Sequence, residues 1–348
     1  MLIRNVMIAV LLMFSLSVPA AAAELTAPRV PASGLERMPD STDSFGKGLQ
    51  ELLQEGICLL QPELKEAMGI CSGILVSAVL FSILSVLSNK VKGTVSIAGA
   101  AVIATGLFRN TNAMIGYACD AVWEICEYGK LLCPVMTTAL AAQGGITASA
   151  ALYSGTIAYI TLQSILVSRV FLPMIRMFLV FSTAHCALGD ETLKRIADAI
   201  KGVQGWILKT MLIVFTTYLS LTGVVSGTTD AAALKAAKVT ISSAVPVVGG
   251  ILSDASESIL VSMSLMKNAA GIYGILAALA VFLGPFVKVG AQYMLLKITA
   301  ALCGLFGDKR IFTLVSDFST ALGLLLAMVA SGCLLVLIST ICFMKGTV

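Results

Sequence analysis

The residues best placed to do chemistry in this chain are cations set inside long apolar runs. Arg176 stands within 170–188, Lys267 and Asn268 interrupt the run 256–286, and Lys297 falls near the middle of 289–306. A cation at the bilayer centre costs about 2.5–3.5 kcal/mol on insertion scales, so it faces a bundle interior, a water-filled path or the membrane boundary. Asp254 and Glu257, upstream of Lys267 in the same stretch, are its candidate ion partners. A fold-stabilising ion pair and a conduction role fit Lys267 and Lys297 equally. Lys209 and Lys288, near run ends, suit snorkelling instead.

Enzymatic constellations are missing from the pattern. The lone His185 has no partner at metal-ligand spacing and reads as a structural residue near a helix end. No phosphate-binding loop, G-x-S-x-G or H-E-x-x-H motif occurs, so the sequence calls for no catalytic residue, cofactor or metal. The nine cysteines include no C-x-x-C pair, and most sit in apolar runs, where a free thiol behaves as a small hydrophobe.

Prolines and glycines punctuate the same runs. Pro134 and Pro173 stand at the same separation as Pro246 and Pro285, and each second proline is followed three residues on by a cation, Arg176 or Lys288. Proline removes an amide donor and clashes with the preceding turn, so interrupted segments at matching places in two halves point to a working membrane interior. Gly144 and Gly145 follow the first proline and Gly249 and Gly250 the third, as turn or packing points. Charged stretches beginning at Asp190 and Gly307 carry Asp198 and Asp317 ahead of a final apolar run. The chain therefore reads as a duplicated membrane unit, 131–228 and 243–343.

Composition supports that class. Hydrophobic residues make up 58% and charged ones 12%, against about 45–50% and 25% in soluble domains. Mean hydropathy is +0.96. The net charge of +4 is spread without a basic stripe, which excludes a nucleic-acid partner. The expected fold is an all-α, polytopic membrane helical bundle of about six to eight spans with an internal duplication.

Residues 1–23 read as a signal peptide, with Arg4, an apolar stretch over 6–18 and a small-residue cleavage site; an uncleaved signal anchor is the alternative. Residues 24–68 then form an extracytoplasmic tether and an amphipathic helix interrupted by Pro62. Residues 69–130 hold the first membrane span or spans and an acidic amphipathic segment at the membrane surface, around Trp123 and Tyr128. Break signals at Gln143 to Gly145 separate a half-helix carrying Pro134 from spans over 146–168 and 170–188. The cations Lys194, Arg195 and Lys201, and Lys309 and Arg310, place both charged stretches in the cytoplasm and the two units parallel.

Several of these residues together resemble one known family. Lys235-x-x-Lys238, Val245-Pro246-Val247-Val248-Gly249, Ser253-Asp254-Ala255 and Lys267-Asn268-Ala269 are similar to the core block of the stage III sporulation protein AE family. Pro285-Phe-Val-Lys288, Gly307-Asp308 and the stretch from Cys133-Pro134 to Ser149 agree. The resemblance runs from about residue 45 to the C-terminus, and the external segment is short for that family. It implies a multi-pass protein in the mother-cell membrane around the forespore. The implied partners are other stage III sporulation A-complex proteins and stage II sporulation protein Q on the forespore side, besides the lipid bilayer and self-association. It implies a non-enzymatic subunit of a channel-like or secretion-like complex needed for late forespore gene expression. A stand-alone secondary transporter and a passive membrane scaffold are the alternatives that the residues themselves leave open.

Overall fold

The computed structural model of the chain describes residues 28–40, 45–87, 92–143, 145–244, 249–305 and 309–345; side chains of 85–87, 92–96, 222–244 and 249–267 are outside that description. The expected signal peptide, Gly144 and Pro246 lie outside the described residues, as do the side chains of Asp254, Glu257 and Lys267. Among the described residues every regular element is a helix. The order is α1 (Ala32–Leu35), α2 (Phe45–Leu87), α3 (Lys92–Ala142), α4 (Ile146–Leu166), a π turn (Val167–Phe171), α5 (Leu172–Leu188), α6 (Glu191–Ala244), α7 (Gly249–Leu305) and α8 (Lys309–Lys345).

Among the described residues five stretches are long and apolar enough to cross a membrane: Phe45–Leu84, Ile146–Leu188, Glu191–Leu221, Asn268–Leu305 and Lys309–Lys345. Two of the boundaries expected between spans do not form. A charge such as Arg169 or Lys288 divides a hydropathy profile without disturbing backbone hydrogen bonds, so the helix runs through it.

The prolines also interrupt less than their chemistry predicts. Pro62, Pro134 and Pro285 all lie inside continuous helices. At Pro62 and Pro134 the helix surface is exposed, so the outer side of each helix carries the defect. Pro173 sits in the first turn of α5, directly after the π turn. A π turn widens the ladder locally and is one way a helix accommodates a residue that cannot donate. The half-helix expected at Pro134 is thus the end of α3, and the spans expected over 146–168 and 170–188 form one continuous rod.

α8 is the spine. Leu314, Val315, Phe318, Leu322, Leu325, Met328 and Val329 recur at helical spacing and are fully or nearly fully buried. α7 lies antiparallel to it: Phe312 packs near Gly304, Tyr293 near Gly323, and Met344 near Gly271. α3 lies parallel to α8, with Phe108 edge-on to Phe318 at 5.0 Å and Gly129 against Val336. The α4–α5 rod runs antiparallel to α8, joined by Gln163 to Ser331 and Ser182 to Asp317. α6 returns along α4, where the Tyr218 hydroxyl donates to the Ala151 carbonyl at 2.9 Å.

Two expectations about the outer parts change. The segment around 109–130 is not a surface helix: Met114, Ile115, Ala118, Val122, Ile125 and Tyr128 are buried in the bundle, while Trp123 stays exposed. Its acids occupy the other face, which made the segment look interfacial. Residues 28–40, expected as part of a flexible tether, lie on the bundle. Val30 and Gly34 are buried, and a methyl group at Gly34 would strike Val281 of α7.

α2 runs parallel to α7. Leu52 shares a small core with Leu276 and Ala280, Gly56 meets Leu283, and Cys71 lies beside Thr299. Lipid tails are as apolar as leucine, so close packing and interhelical hydrogen bonds hold such helices together. The small face Gly69, Gly73 and Ser77 takes no part in this, since a methyl group added at either glycine would meet no other part of the bundle within 4 Å.

Candidate functional site

The chain reversal at Gly189–Asp190 lies beside the start of α8. It closes tightly: Gly189 has φ 75°, a left-handed conformation that L side chains resist, and its amide donates to the His185 carbonyl at 2.7 Å. Asp190 then caps α6, its Oδ1 accepting from the Thr192 amide at 2.8 Å. That bond holds the Asp190 carboxyl below its ordinary range. His185 Nδ1 is 2.8 Å from the Asp190 carbonyl oxygen, so it carries the proton and donates. His185 thus bridges the end of α5 and the turn that follows. The Cys186 thiol faces the Arg310 carbonyl at 3.7 Å, which ties this reversal to the start of α8. The end of α5, the start of α6, the end of α7 and the start of α8 therefore lie at the same end of the bundle.

Above these turns lies a polar centre. Ser182 of α5, itself buried, donates a short hydrogen bond to Oδ2 of Asp317 on α8. Asp198, Lys194 and Lys201 of α6 lie within electrostatic reach of Asp317, and Lys201 pairs with Asp198 at 3.7 Å. Sequence pattern marks Asp198 and Asp317 as equivalent positions but gives them no chemistry; the fold brings both charged stretches to one place. Further along α8, Gln163 Nε2 donates to Ser331 Oγ at 2.8 Å, and that hydroxyl donates to the Met328 carbonyl. Gln204 on α6 is fully buried, with both amide atoms lacking a described partner. A carboxylate, a hydroxyl and ammonium groups near two helix turns can pass a proton or bind a small cation.

A second polar layer joins α2, α3 and α7. Lys288 pairs with Glu63 at 3.2 Å and Glu66 at 3.3 Å, and its ammonium lies 5.8 Å from the Tyr117 ring centroid. Nearby, Ser33 hydrogen-bonds Glu124, and Arg37 donates to the Ser33 carbonyl while lying against Gly284. Lys288 does not snorkel as its position predicts. The acids of α2 reach it because α2 continues straight through Pro62. The available signal was its place three residues after Pro285 together with the acidic stripe of α2.

The remaining candidates disperse. Arg176 lines a cavity between α3 and α5. Lys297 lies on the exposed face of α7, its ammonium 5.5 Å from the Tyr293 ring centroid and 3.4 Å from that hydroxyl, and Asn268 is also exposed. Both therefore stand outside the bundle interior where the apolar runs would put them. Gly145 caps α4, its amide donating to the Leu140 carbonyl at 3.2 Å. Gly249 and Gly250 open α7. Pro285 is buried among the helices and Pro134 and Pro173 face outward.

Fold and polar centres together define an all-α multi-pass membrane protein. The family model for Stage III sporulation protein AE matches residues 41–346. The chain belongs to that family of sporulation proteins. It is 23% identical over 205 residues to Stage III sporulation protein AE of Bacillus subtilis (strain 168), a match covering 59% of this chain and 51% of that one. The chain thus spans about half the length of the curated relative it matches. No solved structure matches it.

Proposed function

We propose that the chain is a non-enzymatic integral subunit of a channel-like or secretion-like complex between mother cell and forespore. In this reading it sits in the mother-cell membrane around the forespore, works with other stage III sporulation A-complex proteins and with stage II sporulation protein Q, and is needed for late forespore gene expression. Membership of a stage III sporulation family across residues 41–346 carries the proposal. The outer faces of the bundle support it: Val76, Leu80 and Ile83 of α2 are exposed beside the unused small face of Gly69 and Gly73, a surface that lipid or neighbouring subunits would cover. Deleting the gene is expected to arrest forespore development after engulfment with late forespore genes silent. Normal spores from the deletion strain would refute the proposal.

A secondary transporter is the second reading, favoured by the polar centre between parallel hairpins at Ser182, Asp198 and Asp317. It requires substrate-dependent flux by the purified chain alone in liposomes, which the subunit reading excludes. A passive scaffold would tolerate Asp317→Asn with full sporulation, whereas a conducting subunit would assemble normally and lose function.

A further inference from the structure

The cavity between α3 and α5 brings together arginines from two different helices. It measures about 430 Å³ and is lined by Arg109 and Asn112 of α3 and by Arg176 of α5, with Ile115, Leu179 and Val180 as apolar walls. Arg109 and Asn112 are one turn apart and so share a face. Among the described residues neither arginine forms an ion pair. Asp120, farther along α3, pairs with neither. One end of the wall is fixed, because the Phe108 ring lies edge-on against Phe318.

Arg109, Asn112 and Arg176 are exposed at this cavity, so an anion arriving from outside meets donors from both helices. Each guanidinium presents planar N–H pairs that match the oxygens of a phosphate, and the Asn112 amide adds donors. The volume falls in the range of about 300–1,000 Å³ usual for small-molecule sites. Met177 and Val180, both exposed beside Arg176, make an apolar rim. We infer that this cavity is a phosphate site, filled by the head group of an anionic phospholipid whose chains run along that rim. The ligand class follows from the donors and its lipid source from the rim.

The test uses the full chain purified in phosphatidylcholine nanodiscs, titrated with phosphatidylglycerol and, separately, with inorganic phosphate, bound lipid being counted by native mass spectrometry. Arg109→Met and Arg176→Met should each weaken phosphatidylglycerol binding about tenfold or more, the size expected for one lost charge-assisted bond. Arg169→Met, an exposed arginine outside the cavity, should not change it. Arg109→Lys and Arg176→Lys keep the charge and serve if the methionine variants fail to fold; the loss of the planar fork should still weaken binding. Competition by inorganic phosphate would retain the phosphate site and make its source a free anion. Wild-type lipid binding in both cavity variants would overturn the inference. So would loss of a co-purifying protein with lipid binding unchanged, since the occupant would then be a protein carboxylate.

Discussion

Asp317 is the carboxylate at the polar centre, and its supports can be removed one at a time. The Ser182 hydroxyl is buried and donates to it, so Ser182→Ala leaves a carboxylate without that donor. Thermal unfolding in detergent should show a loss of about 1–3 kcal/mol, the range for bonds to charged groups, and an unchanged midpoint would contradict the contact. Asp190 gives a pH signature. Its carboxyl is held below its ordinary value by the Thr192 amide, so its contribution is complete above the ordinary value of 3.8 and disappears as pH falls through the lower folded value. Asp190→Asn keeps an accepting oxygen and should lack this acid dependence, whereas Asp190→Ala should expose the Thr192 amide at every pH. Hydrogen exchange at that amide reads all three.

At the scale of elements, helix packing rests on a few close approaches. A methyl group at Gly155 would land on the Tyr218 ring, whose hydroxyl is anchored on Ala151 of the same helix. Gly155→Ala should therefore separate α4 from α6 and destabilise by about 1–3 kcal/mol, with partial recovery on adding Tyr218→Ala. The parallel course of α2 along α7 predicts that cysteines replacing Gly56 and Leu283 cross-link under mild oxidation, while Gly56 paired with Leu305 does not. Helix content, the break at Gln143 to Gly145 and the turn at Gly189–Asp190 were legible in the sequence, because apolar periodicity and turn chemistry are local. Helix continuity was not. Whether Pro62, Pro134 and Pro285 interrupt a helix depends on what the freed carbonyl faces and on how well the flanking turns are packed, and both are tertiary facts. The burial of 109–130 was hidden for the same reason, since its acids on one face concealed Ile115, Val122 and Tyr128 on the other.

At the scale of the whole molecule, the cations singled out in the sequence do not gather at one site. Cations in apolar runs pointed to a polar interior, yet Lys297 faces outward and Lys288 is the cation held between helices, by Glu63 and Glu66. At about a quarter exposure for Lys288 and Glu63, Lys288→Met should cost about 1–2 kcal/mol, less than a fully buried pair because water still screens the charges. The central structural claim is that two hairpins turn at one end of the bundle, with Cys186 against Arg310. Its most direct test is labelling of single cysteines replacing Asp190 and Lys309, in a chain otherwise free of cysteine, with an impermeant maleimide on oriented vesicles. Both positions are expected to react from the same side, the cytoplasmic one by their neighbouring lysines and arginines. Reaction of one position from each side would contradict the arrangement.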